Sequence, residues 1–259
     1  MPWELWIGVF GFGLIVGSFI NVCIWRLPRE ESVVFPASHC PACNAPIRPI
    51  DNVPVLSYLW LRGRCRACRV AISPRYPAVE LLHGLVALLI VYRFGLTAEA
   101  AVWGVVSAAL IAVIFIDIDH LIIPDVITLP GIVLGLVAAS SLLATGWVDS
   151  VTGLLLGGGL FYAIAVLSEA VLKKEGMGGG DIKLVAMIGA FLGWRGMLLT
   201  VLLASFSGAV IGLLLIARGR DRTAPIPFGP FLSIGALIVL FFGDALFAWY
   251  TDVILAGAF

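Results

Sequence analysis

The chain has 259 residues, of which 61% are hydrophobic and only 12% are charged. Soluble domains carry about 25% charged residues, so this composition excludes an ordinary soluble enzyme and indicates a polytopic membrane protein. The formal net charge is zero, and therefore gives no indication of a nucleic-acid partner.

An apolar run over residues 5–25 opens the chain and predicts a first membrane-spanning helix. No basic segment precedes this run, whereas Arg26 and Arg29 follow it. A cleavable signal peptide has the opposite charge arrangement. We therefore expect an uncleaved span with its N-terminus outside the cytoplasm.

Residues 26–77 form the only sizeable polar segment, and its charge is strongly biased. It contains three acids and eight arginines: Arg26, Arg29, Arg48, Arg62, Arg64, Arg66, Arg69 and Arg75. Loops rich in arginine and lysine lie on the cytoplasmic side of membranes, so this segment is predicted to be cytoplasmic. A nucleic-acid-binding patch is the alternative, but the segment has no recognition helix or aromatic platform, so no such partner is predicted.

The polar segment contains two cysteine pairs, Cys40/Cys43 and Cys65/Cys68, with the spacing Cys-x2-Cys-x21-Cys-x2-Cys. Four thiolates with no open position indicate one structural zinc ion, which would hold together a loop too small to fold on its own core. The alternatives are four unrelated thiols or a redox pair. A redox pair would usually occur singly, in a thioredoxin-like context that is absent here.

Seven further apolar runs predict spans at 79–94, 100–117, 126–145, 151–172, 182–193, 196–217 and 229–250. The run at 182–193 is shorter than the roughly 20 residues that a crossing needs, so it is expected to tilt or to begin in a water-accessible cavity. The predicted fold is an all-α polytopic membrane protein with about eight transmembrane helices. Its expected parts are a first helix (1–25), a cytoplasmic zinc-binding domain (26–77) and a seven-helix membrane core (78–259).

The distribution of basic residues supports this order of spans. If the spans alternate in direction, the loops 26–77, 173–183 and 218–228 all lie inside, and 14 of the 16 basic residues are cytoplasmic. Only Arg93 and Arg195 are exceptions.

Four Gly-x-x-x-Gly pairs fall within spans, and they favour close helix packing inside one bundle over a dimer interface. These pairs are 13/17, 131/135, 153/157 and 208/212.

Several acidic residues lie at span ends that this topology brings to the cytoplasmic face. Asp117 is the first acid after its apolar run, about 3 Å deeper than Asp119, and the two would point to nearly opposite helix faces. Asp181 follows the glycines 178–180, which would let backbone approach a substrate closely. We predict that Asp117 and Asp181 form a catalytic pair, although Asp181 and Asp125 each also fit a helix N-cap.

Two neighbouring carboxylates cannot both ionise easily, so one would keep a proton while the other activates water. Asp117 lies at the negative C-terminal end of its predicted helix, whereas Asp181 lies at a positive N-terminal end near Lys183. The sequence therefore suggests Asp181 as the base and Asp117 as the acid. It assigns no role to Asp119, His120 or Asp125.

Two other classes of protein remain compatible with membrane acids and a zinc site. An ion-coupled transporter could use the acids as proton or cation sites, but these would be expected near mid-bilayer on broken helices. A zinc-bearing assembly protein would need no catalysis at all.

The motifs together resemble those of the type IV prepilin leader peptidases, bifunctional membrane aspartyl proteases of bacteria. The resemblance covers nearly the whole chain. It is carried by Gly17–Val22 with Arg26–Pro28, by the two cysteine pairs, by Arg75–Pro77 and Glu80–Leu82, by Asp117–Asp119 leading to Pro124–Asp125, by the Gly-x-Gly-Asp of Gly178–Asp181, and by Pro225–Pro230.

This resemblance implies the activity, the site residues and the partners. The enzyme would remove the basic leader from prepilins or type II secretion pseudopilins at the cytoplasmic face of the bacterial inner membrane. It would then methylate the new N-terminus with S-adenosylmethionine. Asp117 and Asp181 would be catalytic, Cys40, Cys43, Cys65 and Cys68 would bind zinc, and 78–259 would be the peptidase core. No residues suggest a methyl-donor pocket, and the oligomeric state is not implied.

Overall fold

The computed structural model describes residues 2–172, 178–221 and 224–255, and these contain helices and two isolated β-bridges but no strand. Their α-helices are α1 (Trp3–Arg26), α2 (Leu56–Trp60), α3 (Arg75–Phe94), α4 (Ala98–His120), α5 (Asp125–Ala139), α6 (Trp147–Leu172), α7 (Gly179–Ala217) and α8 (Gly229–Trp249). A π-helical turn, Tyr250–Leu255, extends α8.

Six of the described helices are long and apolar enough to cross a membrane, namely α1, α3, α4, α6, α7 and α8. Helix α5 is equally apolar, but it has only 15 residues. Such apolar helices satisfy their own backbone hydrogen bonds, which is what hydrocarbon requires. The predicted fold class, an all-α polytopic membrane protein, is confirmed.

The short predicted span at 182–193 and its neighbour at 196–217 are two arms of α7. The 39-residue helix is interrupted at Gly193, whose backbone adopts φ 68° and ψ 178°. This left-handed conformation favours glycine, and a Cβ there would lie 2.9 Å from the Thr145 side chain. The first arm, 179–192, is about 21 Å long at 1.5 Å per residue, shorter than the hydrocarbon thickness of about 30 Å.

Helix α5 ends earlier than the sequence suggested. The predicted span was 126–145, but the helix ends at Ala139. The Ser140 hydroxyl donates to the Val137 carbonyl at 2.7 Å, and the Ser140 N–H donates to the same carbonyl at 3.2 Å. The chain then turns towards Gly146, whose φ is 71°. Local polar residues thus end a helix that hydrophobicity alone would have continued.

The chain divides into two compact units, Met1–Ala112 and Val113–Phe259. In the first unit, glycines bring α1 and α3 together. A Cβ on Gly17 would lie 2.6 Å from the Glu80 Cα, and one on Gly13 would lie 2.9 Å from the Gly84 Cα. The Gly13/Gly17 pair therefore packs two helices of the same chain, as predicted.

In the second unit α7 is the central helix and packs against α5, α6 and α8. Two more glycine pairs make these contacts possible. A Cβ on Gly135 would lie 2.9 Å from the Ala190 Cβ, and one on Gly157 would lie 3.0 Å from the Val185 carbonyl. The fourth pair is different, because Cβ atoms at Gly208 and Gly212 would find ordinary contacts at 3.6 and 3.5 Å.

The closest approach of α6 to α7 is at Gly153 and Gly189, where a Cβ on either residue would collide with the backbone of the other. We expect Gly153→Ala to destabilise the protein by about 3 kcal/mol or more, because neither backbone can move without disturbing α7. Thermal unfolding in detergent measures this loss. Gly159→Ala is the matched control on the same helix, because a Cβ there would meet no described atom within 4 Å. Equal melting temperatures for the two variants would contradict this packing.

Candidate active site and metal centre

Asp117 lies in the last turn of α4 and faces the protein interior, with 5% of its surface exposed. The helix ends three residues later at His120, and the next residue, Leu121, adopts a positive φ of 55° and donates its N–H to the Asp117 carbonyl at 2.9 Å. Asp119, two residues from Asp117, is exposed. The expectation that these two acids point in different directions is confirmed.

The Asp117 carboxylate contacts the beginning of α8. The Gly229 N–H donates to Asp117 Oδ2 at 2.9 Å in a buried position. Gly229 is the first residue of α8, and the first N–H groups of a helix have no partner within it and carry partial positive charge. A helix N-terminus that is 112 residues away in sequence therefore stabilises negative charge on Asp117. Sequence reasoning noted the Pro225–Pro230 turn but missed this contact.

Asp181 is the third residue of α7, directly after the glycine segment. The N-cap residue of α7 is Gly178, so Asp181 does not have the N-cap role considered from the sequence. Gly180 packs on the loop that follows α4, since a Cβ there would lie 2.9 Å from the Ile123 Cβ. Ile123 also packs on the start of α8, because its Cδ1 would lie 3.1 Å from a Cβ on Gly229.

These contacts gather the end of α4 and the beginnings of α7 and α8 around one site. Within it, Asp117 and Asp181 lie close enough for their charges to interact. The structure thus brings the two sequence-predicted acids together. Residues 173–177, which begin the basic loop predicted at 173–183, lie outside the described residues.

A salt bridge lies beside this site. The Lys183 Nζ is 2.7 Å from both carboxylate oxygens of Asp125, so it joins the beginnings of α5 and α7. Asp125 is the first residue of α5 and Pro124 is its N-cap, so Asp125 does not cap the helix with its side chain. The sequence argument used Lys183 to favour an ionised Asp181.

The structure therefore removes the reason for choosing Asp181 as the base and Asp117 as the acid. Lys183 pairs with Asp125, and Asp117 also faces a helix N-terminus. The positions of Asp117 and Asp181 along their helices therefore do not decide which carboxyl group is ionised and which is protonated. The arrangement supports a pair that shares one proton.

Gly229 has no room for a side chain. A Cβ would lie 2.7 Å from Asp117 Oδ2, so Gly229→Ala should push the carboxylate out of position while leaving the membrane helices folded. We expect the turnover of a peptide substrate to fall about 100-fold, as displacements near 1 Å can cost that much. The matched control is Gly104→Ala in α4, where a Cβ would meet no described atom within 4 Å. Full activity of Gly229→Ala would contradict a role for this contact.

The four predicted metal ligands converge in the first unit. The sulfur atoms of Cys40, Cys43, Cys65 and Cys68 all lie within 4.8 Å of one another. Cys40 Sγ and Cys68 Sγ are 3.9 Å apart. Four thiolates at 2.3 Å from a tetrahedral ion would be about 3.8 Å apart, so the donor set fits such an ion. Cys23 and His39 are not part of this cluster.

The two cysteine pairs lie in equivalent backbone turns. In the first, the Cys40 N–H donates to the Ala45 carbonyl at 2.9 Å and the Asn44 N–H donates to the Cys40 carbonyl at 2.8 Å. The turn that begins at Cys65 makes the same two bonds, at 2.9 and 3.0 Å. A positive φ follows the second cysteine in both turns, 56° at Asn44 and 62° at Arg69. Each turn directs two sulfurs and several N–H groups to one point.

Backbone N–H groups favour the thiolate form of one of the four cysteines, Cys65, before any metal binds, whereas burial and the neighbouring thiols raise the pKa of Cys68 to about 11. The N–H groups of Cys68 and Ala67 lower the pKa of the Cys65 thiol to about 7. Metal ions bind thiolates and not thiols, so less free energy is spent on removing a proton at neutral pH.

Sequence reasoning named Arg26 and Glu80 only as parts of motifs, and missed that these two buried ionisable residues attach the polar segment to the helices. The Arg26 guanidinium donates to the carbonyls of Ser32 and Pro36 at 2.8 and 2.6 Å. Glu80 accepts the Val55 N–H at 2.7 Å. The positions of Arg26 and Glu80 in the sequence could have indicated these contacts, because a charged group inside or at the end of an apolar helix is costly unless it has a partner.

Comparison with known proteins matches the chain to two family models in succession. Residues 12–94 match a family model described as the bacterial peptidase A24 N-terminal domain, and residues 104–213 match the type IV leader peptidase family. No solved structure gives a significant match.

Curated relatives named prepilin leader peptidase/N-methyltransferase match over most of the chain. The Aeromonas salmonicida protein is 38% identical over 290 aligned residues, which cover 98% of this chain and 97% of the relative. The Pseudomonas aeruginosa protein is 38% identical, covering 92% and 90%. The Myxococcus xanthus protein is 44% identical, covering 82% and 64%. The chain therefore belongs to the type IV leader peptidase family.

Proposed function

We propose that this protein is an intramembrane aspartyl endopeptidase that removes the leader from type IV prepilins or type II secretion pseudopilins. Family membership and the names of the relatives support this activity and do not favour a transporter or a non-catalytic assembly protein. Asp117 and Asp181 are its catalytic pair. The observation that carries this assignment is the burial of Asp117 against the N-terminus of α8, in a site that also contains Asp181.

The pair works by sharing one proton. The ionised carboxylate removes a proton from water as the water oxygen attacks the scissile carbonyl carbon, and the protonated acid donates to the carbonyl oxygen. Collapse of the tetrahedral intermediate breaks the C–N bond, and a proton passes to the leaving amine. The Gly229 N–H donates to Asp117 Oδ2 and holds the carboxylate in place.

The site suits a substrate that is itself a membrane helix. Gly178 and Gly179 are exposed beside Asp181 and present backbone without side chains, so an extended peptide can lie against them. The excess of basic residues in the loop 26–77 supports a cytoplasmic position for this loop in the bacterial inner membrane, with the N-terminus on the opposite side. Alternation of the spans would then put Asp117 and Asp181 at the cytoplasmic face as well.

Residues 26–77 form a structural zinc-binding domain and 78–259 the peptidase core. Cys40, Cys43, Cys65 and Cys68 would hold the ion, which would fix the loop and supply no open coordination position. The names of the relatives further support N-methylation of the cleaved product with S-adenosylmethionine. We assign no residues to the methyl-donor site.

One experiment tests both activities. The purified protein is incubated with a leader-bearing pilin and S-adenosylmethionine, and the product is weighed by mass spectrometry. Loss of the leader mass reports cleavage, and gain of one methyl group reports methylation. An intact pilin after exhaustive incubation would contradict the proposed peptidase.

A further inference from the structure

The zinc-binding segment contains a basic cleft that the proposed peptidase does not use. It lies beside the second cysteine pair and has a volume of about 560 Å³. Its lining consists of Trp60, Leu61, Arg62, Arg64, Arg66 and Arg69. All four arginines are exposed. The cleft therefore presents four guanidinium groups around one concave surface.

Only one of these charges is neutralised by a described acid. Arg66 makes a two-point pair with Asp51, Nε to Oδ2 at 2.8 Å and Nη2 to Oδ1 at 2.6 Å. No carboxylate among the described residues pairs with Arg62, Arg64 or Arg69. Three guanidinium groups remain to receive an anion. Guanidinium binds phosphate oxygens through two parallel hydrogen bonds, which makes phosphate a well-matched ligand.

The surface next to the cleft is apolar. Helix α2 leaves Leu56, Leu59 and Trp60 exposed, at 59%, 65% and 59% of their surface. Trp60 also lines the cleft. Exposed tryptophan together with arginine is typical of surfaces at the membrane–water interface, where the ring lies at headgroup level and the cation meets anionic lipid.

The connections of this segment keep it close to the bilayer. The segment leaves α1 at Arg26 and enters α3 at Arg75, and both helices are membrane spans. Its two ends are therefore held at one membrane surface. Such attachment gives a high local concentration of headgroups, so even a weak individual site would be filled.

We propose that this cleft binds the phosphate of an anionic phospholipid headgroup and thereby docks the zinc-binding segment on the bilayer surface. Arg62 and Arg69 contact the phosphate, and Leu59 and Trp60 lie against the interface. A longer nucleic acid is a poorer match, because the cleft offers one aromatic side chain and no extended groove.

Lipid binding to the full chain tests this proposal without any peptidase assay. The purified protein in a non-ionic detergent is titrated with phosphatidylglycerol or with phosphatidylcholine, and bound lipid is counted by native mass spectrometry. We expect wild type to prefer phosphatidylglycerol. The double variant Arg62→Gln/Arg69→Gln should bind it about 30-fold more weakly, since each arginine near anionic lipid contributes about fivefold. Arg48→Gln, an exposed arginine of the same segment outside the cleft, should bind like wild type.

Three further measurements make the result decisive. Bound zinc must be unchanged in the double variant; if it is lost, the single variants are used and each should lose about fivefold. Raising the salt concentration should weaken binding of phosphatidylglycerol to wild type more than to the double variant. Unchanged lipid binding in the arginine variants would overturn the proposal. Displacement of the lipid by inorganic phosphate or by an oligonucleotide at lower concentration would equally overturn the headgroup assignment.

Discussion

Changing either Asp117 or Asp181 to asparagine should lower the rate of leader cleavage by about 1,000-fold or more. Asparagine preserves the size of the side chain but cannot take or give a proton at neutral pH, so the variant loses either the base or the acid. Positioned proton transfer contributes about 100- to 10,000-fold in enzymes, and here one pair performs both transfers. The measurement is the initial rate of mature pilin formation, quantified by mass spectrometry.

Asp119→Asn is the matched control, because this acid lies two residues from Asp117 but is exposed. It should retain most of the activity. Bound zinc and thermal unfolding should be the same for all three variants, which separates a chemical defect from a folding defect. Cleavage at the wild-type rate by either Asp117→Asn or Asp181→Asn would exclude that residue from the catalytic pair.

Removal of the metal should unfold the segment between α1 and α3 while the membrane helices stay folded. Binding of a structural zinc ion contributes about 10–16 kcal/mol in small zinc modules, and that binding free energy is folding free energy. The segment has little else to hold it, since Cys40 is the only buried hydrophobic residue among the described residues between α1 and α3. Amide hydrogen exchange should therefore rise over residues 38–72 after chelation, with α1 and α3 still protected.

Cys40→Ser and Cys65→Ser should reproduce the effect of the chelator. Cys23→Ser should not, because Cys23 lies in α1 outside the metal cluster. Full protection of residues 38–72 in metal-free protein would show that the four cysteines are not what holds this segment together.

The features that sequence predicted well depend on composition or short spacing. Apolar runs identified the membrane helices, because hydrocarbon admits little else. The spacing of the four cysteines identified the metal cluster, because two short turns can direct four sulfurs to one ion. Asp117 and Asp181 were chosen as catalytic candidates because acids at span ends are costly. The structure brings both into one site, and their catalytic role stays a prediction.

The features that sequence did not predict depend on contacts between distant backbone atoms. The sequence around Gly229 gives no indication that its N–H donates a hydrogen bond to Asp117, which is 112 residues away. That contact, and the pairing of Lys183 with Asp125, removed the argument that made Asp181 the base. Helix α5 ended early through a serine hydroxyl that hydrophobicity does not register.

The sequence predicted two cysteine turns, but it did not show that their backbones are equivalent. The two turns share the cysteines and Ala42/Ala67, whereas most of their other positions differ. Backbone hydrogen bonds and a positive φ after the second cysteine define the turn, and Asn44 and Arg69 both adopt that φ. A search for repeated side chains therefore misses a repeated backbone.

The dependence of cleavage rate on pH tests the shared proton most directly. Only the singly protonated pair has both a base and an acid, so kcat/KM should rise from low pH, as the first proton leaves, and fall at high pH, as the second leaves. We predict this bell-shaped profile for wild type and for Asp119→Asn. A rate that stays constant from about pH 4 to pH 9, or that only rises with pH, would contradict catalysis by Asp117 and Asp181 as a proton-sharing pair.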